Sequence, residues 1–382
     1  VTVTPKKIFV IAGEASGDVL GARLMSALKN VVPGAAFTGI GGARMSEAGL
    51  NSLFPMQELA VMGLAEILPK ILRLRRRLQE TIAAIKAENP DVLVTIDSPG
   101  FCLRVLKAVQ GEKIKRVHYV APQVWAWRQE RVKHFPGLWD ELLCLLPFEP
   151  EFFAPFGLNP RFTGHPVLES GADLGSAAKF RAIHSLAPDA VPVMLMPGSR
   201  LTETTRLLPV FKETIAQLAS RRSNLVPILA AAPFVADAVA AQTSGWAQKP
   251  IVIRDVAERY DAFAAASCAL TKSGTSTLEL AMAGVPMAVT YRVNALSAAI
   301  GRRLIKVKHV AMINLLAQAT LVPELLQENC TPEKLAATLD TLLTDAKAAA
   351  AQRAGFAAAL AKLRAPAGTP SDAAASAIAE WI

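Results

Sequence analysis

Asp97 closes the apolar run VLVTID and stands just before Ser98-Pro99-Gly100. In an open parallel sheet, ligands bind beyond the carboxyl ends of the strands, and a carboxylate there can take the proton of a sugar hydroxyl. An Asp with Pro two residues on also fits a helix N-cap, so position alone leaves both readings open. Glu14 is a rival base. It lies in Gly13-Glu14-Ala15-Ser16-Gly17-Asp18, which follows another strand-like run and leads into a helix pattern containing Gly21. Glycines at a strand-to-helix turn let backbone approach a ligand, and the helix start favours anionic or polar groups. Gly13, Glu14, Ser16 and Gly17 are therefore candidates for lining a cleft.

Two later turns suit a diphosphate. Met196-Pro197-Gly198-Ser199-Arg200 ends a strand pattern, with Glu203 and Arg206 following on a helix start. Gly198 and Ser199 let backbone donors come close, and the Arg200 guanidinium neutralises charge. Thr271-Lys272-Ser273-Gly274-Thr275-Ser276-Thr277-Leu278-Glu279 repeats the plan. Ser273, Gly274 and Thr275 offer hydroxyls and amides to a phosphate. Glu279, one turn in, can take both hydroxyls of a ribose; a first-turn acid favoured by the helix dipole is the plainer reading of it.

Other chemistries lack their residues. The first glycines are spaced G-x-x-x-G-x-x-x-G rather than G-x-G-x-x-G, which disfavours a dinucleotide cofactor. No Asp-x-Asp, H-E-x-x-H, G-x-S-x-G or Walker A sequence occurs. His118, His134, His165, His184 and His309 show no ligand spacing, so no metal and no cofactor is expected. Cys102, Cys144, Cys268 and Cys330 are widely spaced without a C-x-x-C pair and read as buried thiols of a reducing compartment.

Those residues must be positioned by elements, and the elements alternate. Strand patterns fall at Ile8–Ala12, Ala36–Ile40, Val92–Ile96, Arg116–Val120 and Glu141–Leu146. A second series runs Val193–Met196, Val226–Ala230, Ile251–Arg254, Cys268–Thr271 and Met287–Thr290, with a final candidate at Val310–Ile313. Helical periodicity fills the gaps at Asp18–Lys29, Leu68–Lys86, Thr204–Ser220, Thr275–Ala283 and Pro332–Leu343, which predicts parallel sheets with crossover helices. At 382 residues and 52% hydrophobic content the chain exceeds what one core accommodates. The polar stretch HPVLESGADLGS separates the two series, so the expected domains are 1–170 and 171–344. An Ala-rich helical tail, 345–382, is expected to pack back on the first domain.

The net charge of +9 favours anionic partners. Ile71, Leu74, Leu78, Ile82 and Ile85 recur at helical spacing with Arg73, Arg75, Arg76 and Arg77 on other faces, and an apolar lead-in, ELAVMGLAEIL, comes just before. An ordinary amphipathic crossover helix explains the stripe; a membrane-surface patch explains the lead-in and the arginines together. A second basic run holds Arg302, Arg303, Lys306 and Lys308. No uninterrupted apolar stretch is long enough to span a bilayer, and the first apolar run is too short for a signal peptide. Nucleic acid would suit the charge, but no recognisable module is present, so no nucleic-acid partner is expected.

The blocks IAGEASGD, AVMGLAEIL, HYV…VWAWR, LLPFEPEFF, FTGHPVLE, MPGSR, SGTSTLE, TYR and INLLA, in this order up to about Gln327, resemble the lipid-A-disaccharide synthase family. The resemblance implies a GT-B fold of two Rossmann-like α/β domains whose parallel sheets face each other across a cleft. It implies an inverting, metal-independent glycosyltransferase at the cytoplasmic face of the inner membrane, peripherally attached, with a homo-oligomer left open. Its donor would be UDP-2,3-diacylglucosamine and its acceptor 2,3-diacylglucosamine 1-phosphate. In that pattern Asp97 matches the base for the acceptor 6-hydroxyl, and Arg200, Ser273, Gly274, Thr275, Glu279 and Asn314 match UDP-side positions. The chain departs from the family at Gly100 and Cys102, where D-x-P-D-F-N is common, and at Gln318-Ala319-Thr320, where G-R-E is common. Two other readings stay in play: a nucleotide-sugar 2-epimerase, and a peripheral membrane protein without catalysis.

Overall fold

Ile8, Phe9, Val10, Ile11 and Ala12 are fully buried, so this strand has no solvated face. Only a strand covered by helices on both sides is apolar without alternation. The computed structural model describes residues 5–59, 64–232, 235–294, 298, 301 and 303–382, with side chains left out at 64–70. It divides into two compact units, Val1–Pro166 with Leu363–Ile382, and Val167–Lys362.

The first unit holds a seven-stranded parallel sheet. Its strands are β1 (Lys7–Ala12), β2 (Ala36–Ile40), β3 (Asn51–Ser52), β4 (Val92–Ile96), β5 (Lys115–Tyr119), β6 (Glu141–Cys144) and β7 (Pro160–Phe162). Their spatial order is β3-β2-β1-β4-β5-β6-β7. The second unit holds six parallel strands: β8 (Val191–Met196), β9 (Leu225–Ala230), β10 (Ile251–Ile253), β11 (Cys268–Lys272), β12 (Met287–Tyr291) and β13 (Glu324–Leu326). Their order is β10-β9-β8-β11-β12-β13. Both orders reverse once, between β1 and β4 and between β8 and β11. A crevice opens at such a reversal because the two flanking connections leave toward opposite faces.

Helices cover these sheets where the periodicity predicts them: Ala15–Val31, Leu64–Glu88, Leu201–Ala219, Ser276–Met282 and Pro332–Thr344. The core of the second unit gathers Leu207, Phe211, Ile215 and Leu218 from the Leu201–Ala219 helix against Val193, Leu195 and Leu229 of the sheet. The strand expected at Val310–Ile313 is not one. Val310 and Ala311 instead donate their amides to the Glu324 carboxylate at 3.0 and 3.1 Å, and a helix, Met312–Ala317, starts there. The edge position goes to β13.

The tail is shared between the units. Helix Ala346–Ala361 packs in the second, where the buried Gln352 amide pairs with both backbone groups of Met287, at 2.8 and 3.1 Å. That side chain acts as a strand partner for the first residue of β12. Beyond Lys362 the chain joins the first unit. His165 donates its amide to Leu363 O at 2.9 Å, and helix Pro370–Ala379 lies on Ala15–Val31. Ala374, Ala375 and Ala377 are buried in that packing, which only small side chains let come close. Trp381 then donates to Glu141 at 2.6 Å, and Arg161 holds Glu380 at 2.6 and 2.8 Å. No helix among the described residues is long and apolar enough to cross a membrane.

Candidate functional site

At the first reversal, Ala12 of β1 lies level with Ile96 of β4, so the turns after these strands are neighbours. Gly13 is required there: a Cβ on it would overlap Ser98 Oγ. Asp97 is the first residue past β4, and its amide still donates to Tyr119 O of β5 at 2.9 Å. Asp97 and Ser98 both take left-handed backbone, at φ +48° and +47°, and Val120, just past β5, has φ +79°. Such conformations cost on the order of 1–3 kcal/mol each and collect where the surrounding fold enforces them. Ser98 caps helix Pro99–Ala108 with no side-chain bond, so the N-cap reading of Asp97 is not what the geometry displays.

Burial pushes the Asp97 carboxyl above the usual range, with only a Ser98 backbone hydrogen bond opposing it. Cys102 is fully buried beneath, and burial together with the Asp97 charge drives its thiol up. A weakly solvated carboxylate without a cationic partner is a stronger base than one in water. Glu14 and Ser16 begin helix Ala15–Val31 beside this turn, with Ser16 exposed, and a Cβ added at Gly17 would come within 3.3 Å of Ala12 Cβ. The last residue of that motif does structural work. Buried Asp18 accepts the amides of Gly42, Arg44 and Met45 at 2.8–3.1 Å, holding the start of helix Ala43–Glu47.

The VWAWR block follows β5. Trp125 is buried and donates Nε1 to Glu149 Oε1 at 3.0 Å, while Glu149 Oε2 accepts the amides of Leu145 and Leu146 at 3.0 and 2.9 Å. Burial raises Glu149 to about 7. Trp127 is exposed, with the Arg128 guanidinium 4.7 Å from its ring centre. His118 is buried on Trp139, bonded to Thr95 at 2.7 Å, and burial lowers it to about 4, so it is a neutral core residue.

At the second reversal, Met196 of β8 lies level with Thr271 of β11. Gly198 has φ +115°, and a Cβ there would overlap Glu203 Oε2. The nearly buried Glu203 carboxylate accepts Ser199 N at 3.2 Å, approaches Arg200 Nη1 at 3.5 Å and pairs with Lys272 Nζ at 3.1 Å. One acid thus ties both turns together and leaves one surplus positive charge. Lys272 and Glu203 are the site members that motif reasoning passes over. Their signal is a Lys and a first-turn Glu on two neighbouring strand ends.

Ser273 donates to Val310 O at 2.6 Å, which fastens the β11 turn to the segment before Asn314. Asn314 itself is fully buried. Its Nδ2 donates to Val322 O and Glu324 Oε1, and its Oδ1 accepts Leu321 N and Val322 N, all at 2.8–2.9 Å. Every hydrogen-bonding position is used, so Asn314 positions the loop and has nothing left for a nucleotide. Glu279 Oε1 accepts from Arg259 Nη2 and Tyr260 OH, both at 3.1 Å, and stays partly accessible. Thr275 is exposed, and Ser273 and Gly274 are half-buried. Among the described residues no group of three or more His, Cys, Asp and Glu side chains could hold a metal ion.

Known proteins match this arrangement along its whole length. The family model described as lipid-A-disaccharide synthetase matches residues 8–378. The lipid-A-disaccharide synthase of Granulibacter bethesdensis is 57% identical over 391 residues, covering 100% of both chains. Among solved structures, UDP-GlcNAc 2-epimerase from Neisseria meningitidis, bound to UDP-GlcNAc, superposes with a TM-score of 0.64 at 11% identity, covering 98% of both chains. The calicheamicin glycosyltransferase CalG4 gives 0.61 at 15% identity, covering 99% of this chain and 98% of its own. At such low identity these two show the fold alone.

Proposed function

Because the chain belongs to the lipid-A-disaccharide synthase family, we propose that it is the glycosyltransferase joining UDP-2,3-diacylglucosamine to 2,3-diacylglucosamine 1-phosphate. The products are a β-1,6-linked disaccharide 1-phosphate and UDP. The family match over residues 8–378 carries this reading. The two switch-point crevices supply a division of labour that fits it.

The first unit acts on the acceptor. Asp97 takes the proton of the 6-hydroxyl as its oxygen attacks the donor's anomeric carbon, and the bond from that carbon to the diphosphate breaks with inversion. The desolvated state of Asp97 suits a base. The second unit holds the leaving group. Arg200 and Lys272, with the backbone donors of Gly274 and Thr275, stabilise the charge that grows on UDP, while the Ser199 amide is spent on Glu203. Glu203 keeps both cations in place. Glu279 takes the ribose hydroxyls, oriented by Arg259 and Tyr260.

Diacylated substrates reside in a membrane, and we assign the protein a peripheral place on the inner membrane. Ile71 and Leu72 are exposed on helix Leu64–Glu88 beside exposed Arg73, Arg75 and Arg76, which suits contact with anionic headgroups. Arg77 does not join them. It is tied to Glu58 and Glu80 at 2.7 Å and lies over Phe54. Ile85 is buried in the fold. Residues 60–63 of the apolar lead-in and Arg302 lie outside the described residues. Incubation with both acylated sugars, following UDP and disaccharide together, tests the whole reading. UDP-sugar isomerised without an acceptor would instead mark a 2-epimerase, and vesicle binding without UDP release would leave only the membrane protein.

A further inference from the structure

A groove of about 250 Å³ lies on the first unit between helix Pro99–Ala108 and the short 3-10 helix Gln129–His134 with the residues just after it. Leu103 and Phe135 form an apolar lining, and Arg104, Lys107, Arg131 and His134 surround it. The spacing explains the convergence. Arg104 and Lys107 are three apart on an α-helix, where such residues are neighbours. Arg131 and His134 are three apart on a 3-10 turn, where they eclipse. None of the four forms an ion pair or side-chain hydrogen bond among the described residues. Glu130, on the same short turn, pairs with none of them.

Three converging cations, Arg104, Lys107 and Arg131, without a counter-charge call for an anion, and the apolar lining calls for an apolar body attached to it. The volume falls below the roughly 300–1,000 Å³ of sites that engulf a whole ligand, so it suits a headgroup. Helix Pro99–Ala108 starts at the Asp97 turn, and Arg104 is seven residues on, about 10 Å of helical rise. Helical side chains lean toward the N-terminus, the end of this helix at which Asp97 lies. In the acceptor proposed above, one hexose ring separates the reacting hydroxyl from the phosphate. Resting on that reading of the site, we propose that this groove seats the acceptor's phosphate and selects for a phosphorylated sugar. Arg104 and Arg131 would clamp it, with Lys107 adding charge and His134 a ring nitrogen for hydrogen bonding.

The test is kinetic, in detergent micelles, with the double variant Arg104→Gln/Arg131→Gln. The acceptor KM is expected to rise about 10- to 100-fold, the range for lost hydrogen bonds to a charged group, with kcat and donor KM nearly unchanged. A dephosphorylated acceptor should be poor for the unaltered protein and no poorer for the variant. Arg104→Lys/Arg131→Lys, which keeps both charges, should recover most of the loss, and an unchanged melting temperature shows the variants folded. An unchanged acceptor KM, or an equal loss with both acceptors, overturns the assignment. So does lost binding to phosphatidylglycerol vesicles at unchanged micellar KM, which would make the groove a lipid-headgroup contact. Calorimetry separates the two readings. A protein that binds the sugar phosphate through these arginines yet makes no disaccharide overturns the transferase reading and supports the groove.

Discussion

Replacing Asp97 by Asn should slow the reaction and stabilise the fold at once. Asn keeps the side-chain shape, accepts the Ser98 amide as before, and tolerates left-handed backbone better than most residues, so φ +48° is no obstacle. What disappears is the ability to take a proton, worth about 10²–10⁴ in turnover. What also disappears is a charge held in a poorly solvated place. Burial raises the Asp97 pKa in the folded chain above its unfolded value, so the folded chain binds that proton more tightly. Stability therefore falls as pH climbs from the unfolded value, about 3.9, through the folded one, and the penalty is complete above it. Each tenfold weakening of the acid corresponds to about 1.4 kcal/mol, which moves the melting temperature of a unit this size by roughly 2–4 °C per kcal/mol. Scanning calorimetry at neutral pH should show the variant melting higher, with the gain vanishing by about pH 4. Steady-state kinetics should show low kcat at unchanged donor affinity. A variant that turns over normally, or that loses activity while melting lower, would refute the desolvated-base argument.

Gly198→Ala should weaken UDP binding about tenfold, about 1.4 kcal/mol, because a side chain at φ +115° is strained and displaces Glu203; unchanged affinity by calorimetry would contradict this. Glu279→Ala should lower UDP affinity about 10-fold or more while barely affecting 2′-deoxy-UDP, and an equal effect on both nucleotides would detach Glu279 from the ribose. The Trp125 indole N–H resonance should titrate with Glu149 near pH 7 and cease to do so in Glu149→Gln. Since burial raises that acid in the fold, its ionisation costs stability above about pH 7, a cost relieved as pH falls toward 4.5. Chelation with EDTA should leave turnover unchanged, because Arg200 and Lys272 supply the positive charge the diphosphate needs; a lost rate restored by magnesium would show otherwise.

The long central strands were legible because burial on both faces leaves little or nothing polar in them, as in Ile8–Ala12. The strands without a sequence signal, Asn51–Ser52, Pro160–Phe162 and Glu324–Leu326, are two or three residues long and sit at or next to sheet edges. Ile251–Ile253 is as short and also at an edge, but its three β-branched residues give it a signal that those segments lack. The turns were legible as turns, since glycine beside hydroxyl residues after an apolar run supplies the backbone freedom and local hydrogen bonds that end a strand. Which side chain faces a ligand was not. Asn314 and Asp18 look like site residues in a motif, yet both spend their polar atoms on neighbouring backbone. Lys272 looks like a strand-end solvent charge and instead meets Glu203. Such partners are set by strand order, and strand order is long-range.

The chemistry also explains why the two crevices differ in charge. A guanidinium within about 4–6 Å of a carboxylate lowers its pKa by roughly 1–3, which would oppose the upward push that burial gives Asp97 and that its proposed role as base needs. No cation contributes to the Asp97 shift, whereas Arg200 and Lys272, the cations proposed for the diphosphate, are bound to an acid of their own. The exposed basic groups of the groove do not break this rule. Across about 10 Å of water, a unit charge acts on another with only about 0.4 kcal/mol, too little to reverse what burial does to Asp97. A phosphate could thus be held one ring away from the base without disarming it, whereas an arginine brought to the turn itself, for example by Gly100→Arg, should hold Asp97 ionised and blunt its basicity.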